Sequence, residues 1–230
     1  MAWLRYLLYF ILVALITAML TRLEIAYPGS LRLQVFTGEG DVLGTSEYSP
    51  LEIIQPLILI VCGLLMAWVA MNYALQRPVA FSFGGIALAF TIRELGYFLD
   101  RYLIDNLWQA LVAVAAAFVI AYTYRQRKRL NIALGRLWPS PGLALMFAGT
   151  IILFAFVHLV GQEALWQAIL GDDYRHIVQL AVEEFIELIG YLLWLIGAIE
   201  YTYQVRSMSM RDPQPAAVKR RQTRRKSGPP

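Results

Sequence analysis

The chain has one cysteine and two histidines in 230 residues. Cys62 stands inside an apolar run, so no disulfide can close within the chain and no Cys-x-x-Cys pair exists. The redox compartment is left open by this. The two histidines, His158 and His176, stand too far apart for a His-Glu-x-x-His zinc site, and neither follows a Glu at the Glu-x-x-His spacing of a di-iron site. They also give no support to a bis-His haem, and no haem is expected. Gly-x-Ser-x-Gly and the Gly-rich phosphate loops are missing too, so neither a serine nucleophile elbow nor a nucleotide site is expected. Charge is scarce as well: Asp, Glu, Lys and Arg make up 16%, against about 25% in soluble domains.

Apolar residues are abundant instead. They form 59% of the chain, where soluble domains hold roughly 45–50%, and the mean hydropathy is +0.55. Such a chain cannot cover itself with polar surface, so most of it belongs in lipid. Disorder, collagen and a disulfide scaffold are all excluded as its general class.

Six apolar stretches, at 3–21, 51–75, 79–99, 106–124, 141–161 and 177–203, reach the length of a membrane span, which is about 17–25 residues. Backbone polar groups left open in lipid are expensive, so each is expected to be a helix, and no strand-like alternation runs through them. The fold class expected is therefore all-α, a polytopic bundle of six transmembrane helices. The first stretch has the charged start and apolar run of a signal peptide, but it exits through Thr21, Arg22, Leu23 and Glu24 without a small-x-small cleavage site, and is read as a retained helix.

Orientation follows the Lys/Arg of the short loops. Eleven of the 20 Lys/Arg fall in 125–136 and 219–226, which places both segments, and both termini, in the cytoplasm. Arg77 falls on the same side. The opposite side receives 22–50, 100–105 and 162–176, with Glu39, Asp41, Glu47, Asp172 and Asp173. Within 22–50, the alternation of Leu31-Arg32-Leu33-Gln34-Val35 and the Gly38-Glu39-Gly40 turn suggest a small hairpin. The segment 204–230 has Pro213, Pro215, Pro229 and Pro230 and few apolar residues, and is expected to be a disordered tail. Its Lys219, Arg220, Arg221, Arg224, Arg225 and Lys226 suit anionic lipid head groups, at about 1 kcal/mol each near a charged surface. With no interleaved aromatics they do not suit nucleic acid. No internal repeat is seen, so an inverted-repeat transporter has no support.

Charge inside the spans carries the functional information. Arg93, Glu94, Tyr97 and Asp100 lie at the outer end of the third stretch, His158 and Gln162 at that of the fifth. His176, Glu183, Glu184 and Glu187 run into the sixth from outside, and Glu52 and Gln55 open the second. At a rise of about 1.5 Å per residue, Glu94 and Glu183 lie some 8–9 Å deep and Glu187 roughly 15 Å. Helical rotation gathers them on one face: with Glu183 at 0°, His176 falls at about 20°, Glu187 at about 40°, Tyr191 at about 80° and Glu184 at about 100°. Ionisable groups of this kind face the bundle or a wet cavity, because facing lipid is expensive. A polar pocket between the second, third, fifth and sixth stretches is therefore expected.

Arg93 is the only deep base among four deep carboxylates. Unpaired, four charged acids would cost on the order of 10 kcal/mol on the insertion scale. The surplus must be protonated, hydrogen-bonded or balanced by a cation. Surplus acid beside histidine suits a proton or a divalent metal ion, with Glu183, Glu187, His158 and His176 as the candidate ligands. A structural reading stands beside it: Arg93 paired with Glu183 or Glu187 fixes helix register, and the other acids are neutral and bonded to Tyr97, Tyr191, Gln55 or Gln162. Trp3, Trp68, Trp108, Trp138 and Trp166 fit as interfacial anchors, and Trp194 as packing.

The pattern Glu47-x4-Glu52-x2-Gln55, Arg93-Glu94-x5-Asp100 and Glu183-Glu184-x2-Glu187-x2-Gly190-Tyr191 resembles a group of bacterial multi-pass inner-membrane proteins of uncharacterised activity. The likeness covers roughly 45–203. It implies a bacterial cytoplasmic membrane and nothing of the chemistry. A likeness to seven-helix membrane hydrolases that hold zinc with three histidines and an aspartate fails at the ligands.

Three functions fit these residues. The leading one is an outward-facing pocket that handles a cation or proton, for transport or sensing. A membrane-embedded metal-dependent enzyme would act on a lipid or small substrate from the outer leaflet, with a Glu as base. A structural subunit of a membrane complex, or a homo-oligomer, would use the acid layer to dock helices.

Overall fold

The computed structural model describes residues 2–27, 31 and 50–211. Among them the protein is all-helical, with no strand. The helices are α1 (Ala2–Ala26), α2 (Pro50–Asn72), α3 (Arg77–Glu94), α4 (Gly96–Tyr102), α5 (Leu107–Arg125), α6 (Arg127–Leu137), α7 (Pro141–Ile151), α8 (Val157–Val160), α9 (Glu163–Leu170) and α10 (His176–Arg211). A π-helical turn, Ile152–Phe156, joins α7 to α8, and a short 3₁₀ turn, Gly171–Asp173, follows α9. Trp3–Ala26, Pro50–Asn72, Leu107–Arg125 and Pro141–Val160 are each long and apolar enough to cross a membrane. The chain thus has the helices of a membrane protein.

Charge distinguishes the remaining two long segments. α3 carries Arg77, Arg93 and Glu94, and α10 carries Glu183, Glu184, Glu187 and Glu200. These polar helices lie inside the bundle: α10 packs between α7 and α2, and α3 packs between α2 and α5. By contrast α1 and α5 carry charge only toward their ends, at Arg5, Arg22 and Glu24 and at Arg125, and only 6% of the apolar window of each is buried by protein. A helix that is apolar all round needs an apolar surrounding, and here most of that surrounding is not protein.

The core is aromatic at its centre. Trp194, Tyr191, Phe83 and Phe90 cluster at ring separations of 5.5–6.3 Å, and the Trp194 indole N–H donates to Thr150 Oγ1 at 3.0 Å. Trp194 is therefore packing, as its sequence position suggests.

Glycine sets the closest helix contact. Gly142 and Gly149 on α7 face Gly197 and Gly190 on α10. A Cβ on Gly149 would lie 2.7 Å from the Gly190 carbonyl, and one on Gly197 would lie 2.8 Å from the Gly142 carbonyl. Without glycine the two backbones could not meet, which is the small-residue packing used where lipid supplies no hydrophobic drive.

At the far end of α10, Glu200 is buried and accepts from Arg5 Nη2 at 2.9 Å and from Tyr9 Oη at 2.8 Å. Arg5 also lies 3.7 Å over the Tyr203 ring. This network ties α1, otherwise held by Leu20, Val13 and Ile16, to the bundle. Hydrogen bonds to a buried charge contribute about 1.5–3 kcal/mol. Glu200→Ala is accordingly expected to free α1, seen as faster proteolysis within 2–27 with the rest of the bundle protected.

Several boundaries differ from the sequence reading: the first helix continues past 21 to Ala26, and the second ends at Asn72, short of 75. The third stretch is broken, with α3 ending at Glu94 and α4 starting at Gly96. The last helix runs eight residues past 203, to Arg211, because Val205 is buried and Gln204 accepts from Ser140 at 2.5 Å. The hairpin expected in 22–50 falls mostly on 28–30 and 32–49, and the basic cluster Lys219–Lys226 on the tail; these lie outside the described residues.

Candidate functional site

The break after α3 builds the site. The Leu95 N–H still reaches the Thr91 carbonyl at 3.0 Å, and Leu99 then bonds back to Leu95, so the helix is interrupted without an open gap. Gly96 lets the Trp108 indole lie against the interruption, where a Cβ would stand 3.1–3.3 Å from the ring. Arg93 and Glu94 at the end of α3 and Asp100 on α4 then face one cleft with Glu52 of α2 and Glu184 and Glu187 of α10.

The cleft encloses about 600 Å³. Among the described residues one guanidinium and five carboxylates line it. Arg93 Nη2 donates to Glu187 Oε1 in an ion pair, and Arg93 Nη1 lies 3.8 Å from Glu94 Oε1. Glu187 is 3% exposed and sits about 20 Å along α10 from Glu200. The wholly buried Tyr191 donates its hydroxyl to Glu94 Oε1 at 2.6 Å. The amide of Gln55 donates to Glu184 Oε2 at 2.9 Å and to the Glu184 carbonyl at 3.2 Å. Two buried acceptors have no hydrogen-bond partner: Asp100 Oδ1, on the lining, and Gln55 Oε1.

The structure thus brings together Glu52, Gln55, Arg93, Glu94, Asp100, Glu184, Glu187 and Tyr191. Tyr97 lies in α4, with its side chain outside the description. The other nominated residues lie elsewhere. His158 is exposed on α8, since Val157, one residue before, takes the inward position and a helix turns about 100° per residue. Gln162 is exposed before α9. His176 is exposed at the start of α10, its Nδ1 3.1 Å from the Tyr174 hydroxyl. Glu183 turns away from the cleft and rests against Gly161. Consequently Glu183, Glu187, His158 and His176 do not converge, and no group of three or more His, Cys, Asp or Glu stands in a metal-holding arrangement among the described residues. The pocket expected between the second, third, fifth and sixth stretches is closed by α5 in place of the fifth.

Several residues of this region escape a reading of the sequence. Trp108 is a wall of the cleft and not only an interfacial anchor. Buried Gln179 donates to the Gly161 carbonyl at 2.7 Å and accepts from Tyr174 at 2.6 Å, tying the α9 side of the bundle to α10. Its place four residues before Glu183 would have flagged it by helical spacing. Pro56 and Leu57 line the cleft with no polar group to announce them.

The chain matches no protein-family model, no curated protein and no solved structure. What the cleft does has to follow from its own geometry.

Proposed function

We propose that the chain crosses a bacterial cytoplasmic membrane six times with both ends inside, and that the cleft opens in the outer leaflet and takes up a cationic group or a proton, for transport or sensing. Among the described residues, Asp100, Glu184 and Glu187 line one cleft with a single guanidinium, Arg93, and Asp100 Oδ1 has no hydrogen-bond partner; this excess of acid is the observation that carries the reading. A cation or protons must balance that excess in a low-dielectric surrounding. The basic stretch 125–136 supports the orientation: Ala133 accepts from Gln76, which in turn accepts from Tyr201, one residue from Glu200 at the end away from the cleft. The Arg5–Glu200 bond brings the start of α1 to that same end.

A second reading has its own observation. The Arg93–Glu187 pair joins α3 to α10, as a helix-docking network would. Glu184 separates the two, because its bond is to Gln55 and not to Arg93. In proteoliposomes containing a pH-sensitive dye, wild-type protein is expected to pass or bind cations saturably after an ion or pH step, and Glu184→Gln to lose most of this while keeping its thermal stability. Flux and binding absent from wild type would leave only the docking role.

A further inference from the structure

The cleft has two unlike sides. Its floor is polar, with Arg93, Glu94, Asp100, Glu184 and Glu187. From α2 the cleft takes Glu52, Pro56 and an apolar stripe of Ile53, Leu57 and Ile60, which recur at i, i+4 and i+7 and so share one helix face. These three are 51%, 55% and 42% exposed. In a bilayer such a stripe lies among acyl chains, so the cleft continues into lipid along α2. A site for a water-borne ion has no use for a long apolar wall of this kind.

The floor also specifies the head group. Asp100 Oδ1, on the lining, is a buried acceptor without a donor; Gln55 Oε1, off the lining but on the side chain bonded to Glu184, is another. A primary ammonium brings three N–H donors and no acceptor, together with the positive charge that the carboxylates call for. Trp108 adds an aromatic face at the rim, a surface that attracts ammonium groups at close range.

Resting on the cation-binding reading above, we propose that the cleft binds a primary-amine amphiphile that arrives sideways from the membrane. Its ammonium lies on the floor among Asp100, Glu184 and Glu187, and its chain lies along Ile53, Leu57 and Ile60.

The test uses the full chain in phosphatidylcholine nanodiscs. Trp108 fluorescence, taken as the difference between wild type and Trp108→Phe, is titrated with tetradecylamine, tetradecanol and methylammonium, the two tailed probes at equal mole fraction in the bilayer. Tetradecylamine is expected to saturate at a mole fraction about tenfold below any response to tetradecanol, a difference of about 1.4 kcal/mol. Glu184→Gln, which leaves the Arg93–Glu187 pair intact, should weaken it by a similar factor. Leu57→Gln should weaken tetradecylamine and leave methylammonium unchanged. Equal affinity for methylammonium and tetradecylamine, indifferent to Leu57→Gln, would overturn the amphiphile and leave the cation cleft standing. Tetradecylamine and methylammonium both failing to bind better than tetradecanol would overturn both. The ranking of the three probes decides even where Glu184→Gln or Leu57→Gln does not fold.

Discussion

Arg93→Ala is expected to destabilise the protein more than any other single side-chain truncation in the cleft. It removes the partner of Glu187, a carboxylate that is 3% exposed, and the guanidinium 3.8 Å from Glu94. Breaking a fully buried pair by deleting one member costs about 3–5 kcal/mol; the Arg93 side chain is 37% exposed, so the cost here falls below that range, with Glu187 left in a poor solvent. The loss comes from stranding Glu187 and not from the pair's own net worth. Arg93→Met combined with Glu187→Leu should therefore recover most of it, since apolar replacements of similar volume are often neutral or better. Reversible unfolding in mixed micelles, wild type beside the single and double variants, checks this. A double variant as unstable as Arg93→Ala would mean that the pair contributes net stability itself.

The other large effect lies at the glycine contact between α7 and α10. At Gly142 an added Cβ meets the backbone of Tyr201, and at Gly149 it lies 2.7 Å from the Gly190 carbonyl. Overpacking against side chains typically costs about 1–3 kcal/mol, and backbone has less room to give. Gly149→Leu should exceed that range and show as a large fall in the unfolding midpoint. Because Gly190 stands three residues from Glu187 on α10, the same variant should also disturb the cleft. The control is Gly63→Ala, where an added Cβ meets nothing within 4 Å and little change is expected. Equal midpoints for the two variants would contradict the close α7–α10 approach.

These two effects also mark how far the sequence could be read. Hydropathy located the helical stretches to within a few residues at most ends, since lipid demands long apolar runs whatever their partners. Rotation by about 100° per residue put Glu184, Glu187 and Tyr191 on one arc of α10, and the structure places all three at the cleft or on its acids. The same arithmetic blurred Glu183, which sits at the edge of that arc and falls on the Gly161 side. His158 was misplaced because the inward stripe of its helix is Gly142, Met146, Gly149, Leu153 and Val157. A stripe of small and apolar residues in an apolar helix leaves no contrast to read. The break between α3 and α4 and the Trp108 wall depend on contacts between segments, which spacing along one segment does not contain.

On the proposed function the cleft carboxylates, and Glu184 in particular, take up a cationic group. Infrared difference spectra of the carboxylate bands, recorded on membrane-reconstituted wild type and Glu184→Gln before and after adding a primary amine, test it most directly. A saturable change in the carboxylate stretch that is present in wild type and diminished in Glu184→Gln is the predicted result. Identical difference spectra from the two proteins would contradict the account and leave the acid layer as a means of docking helices.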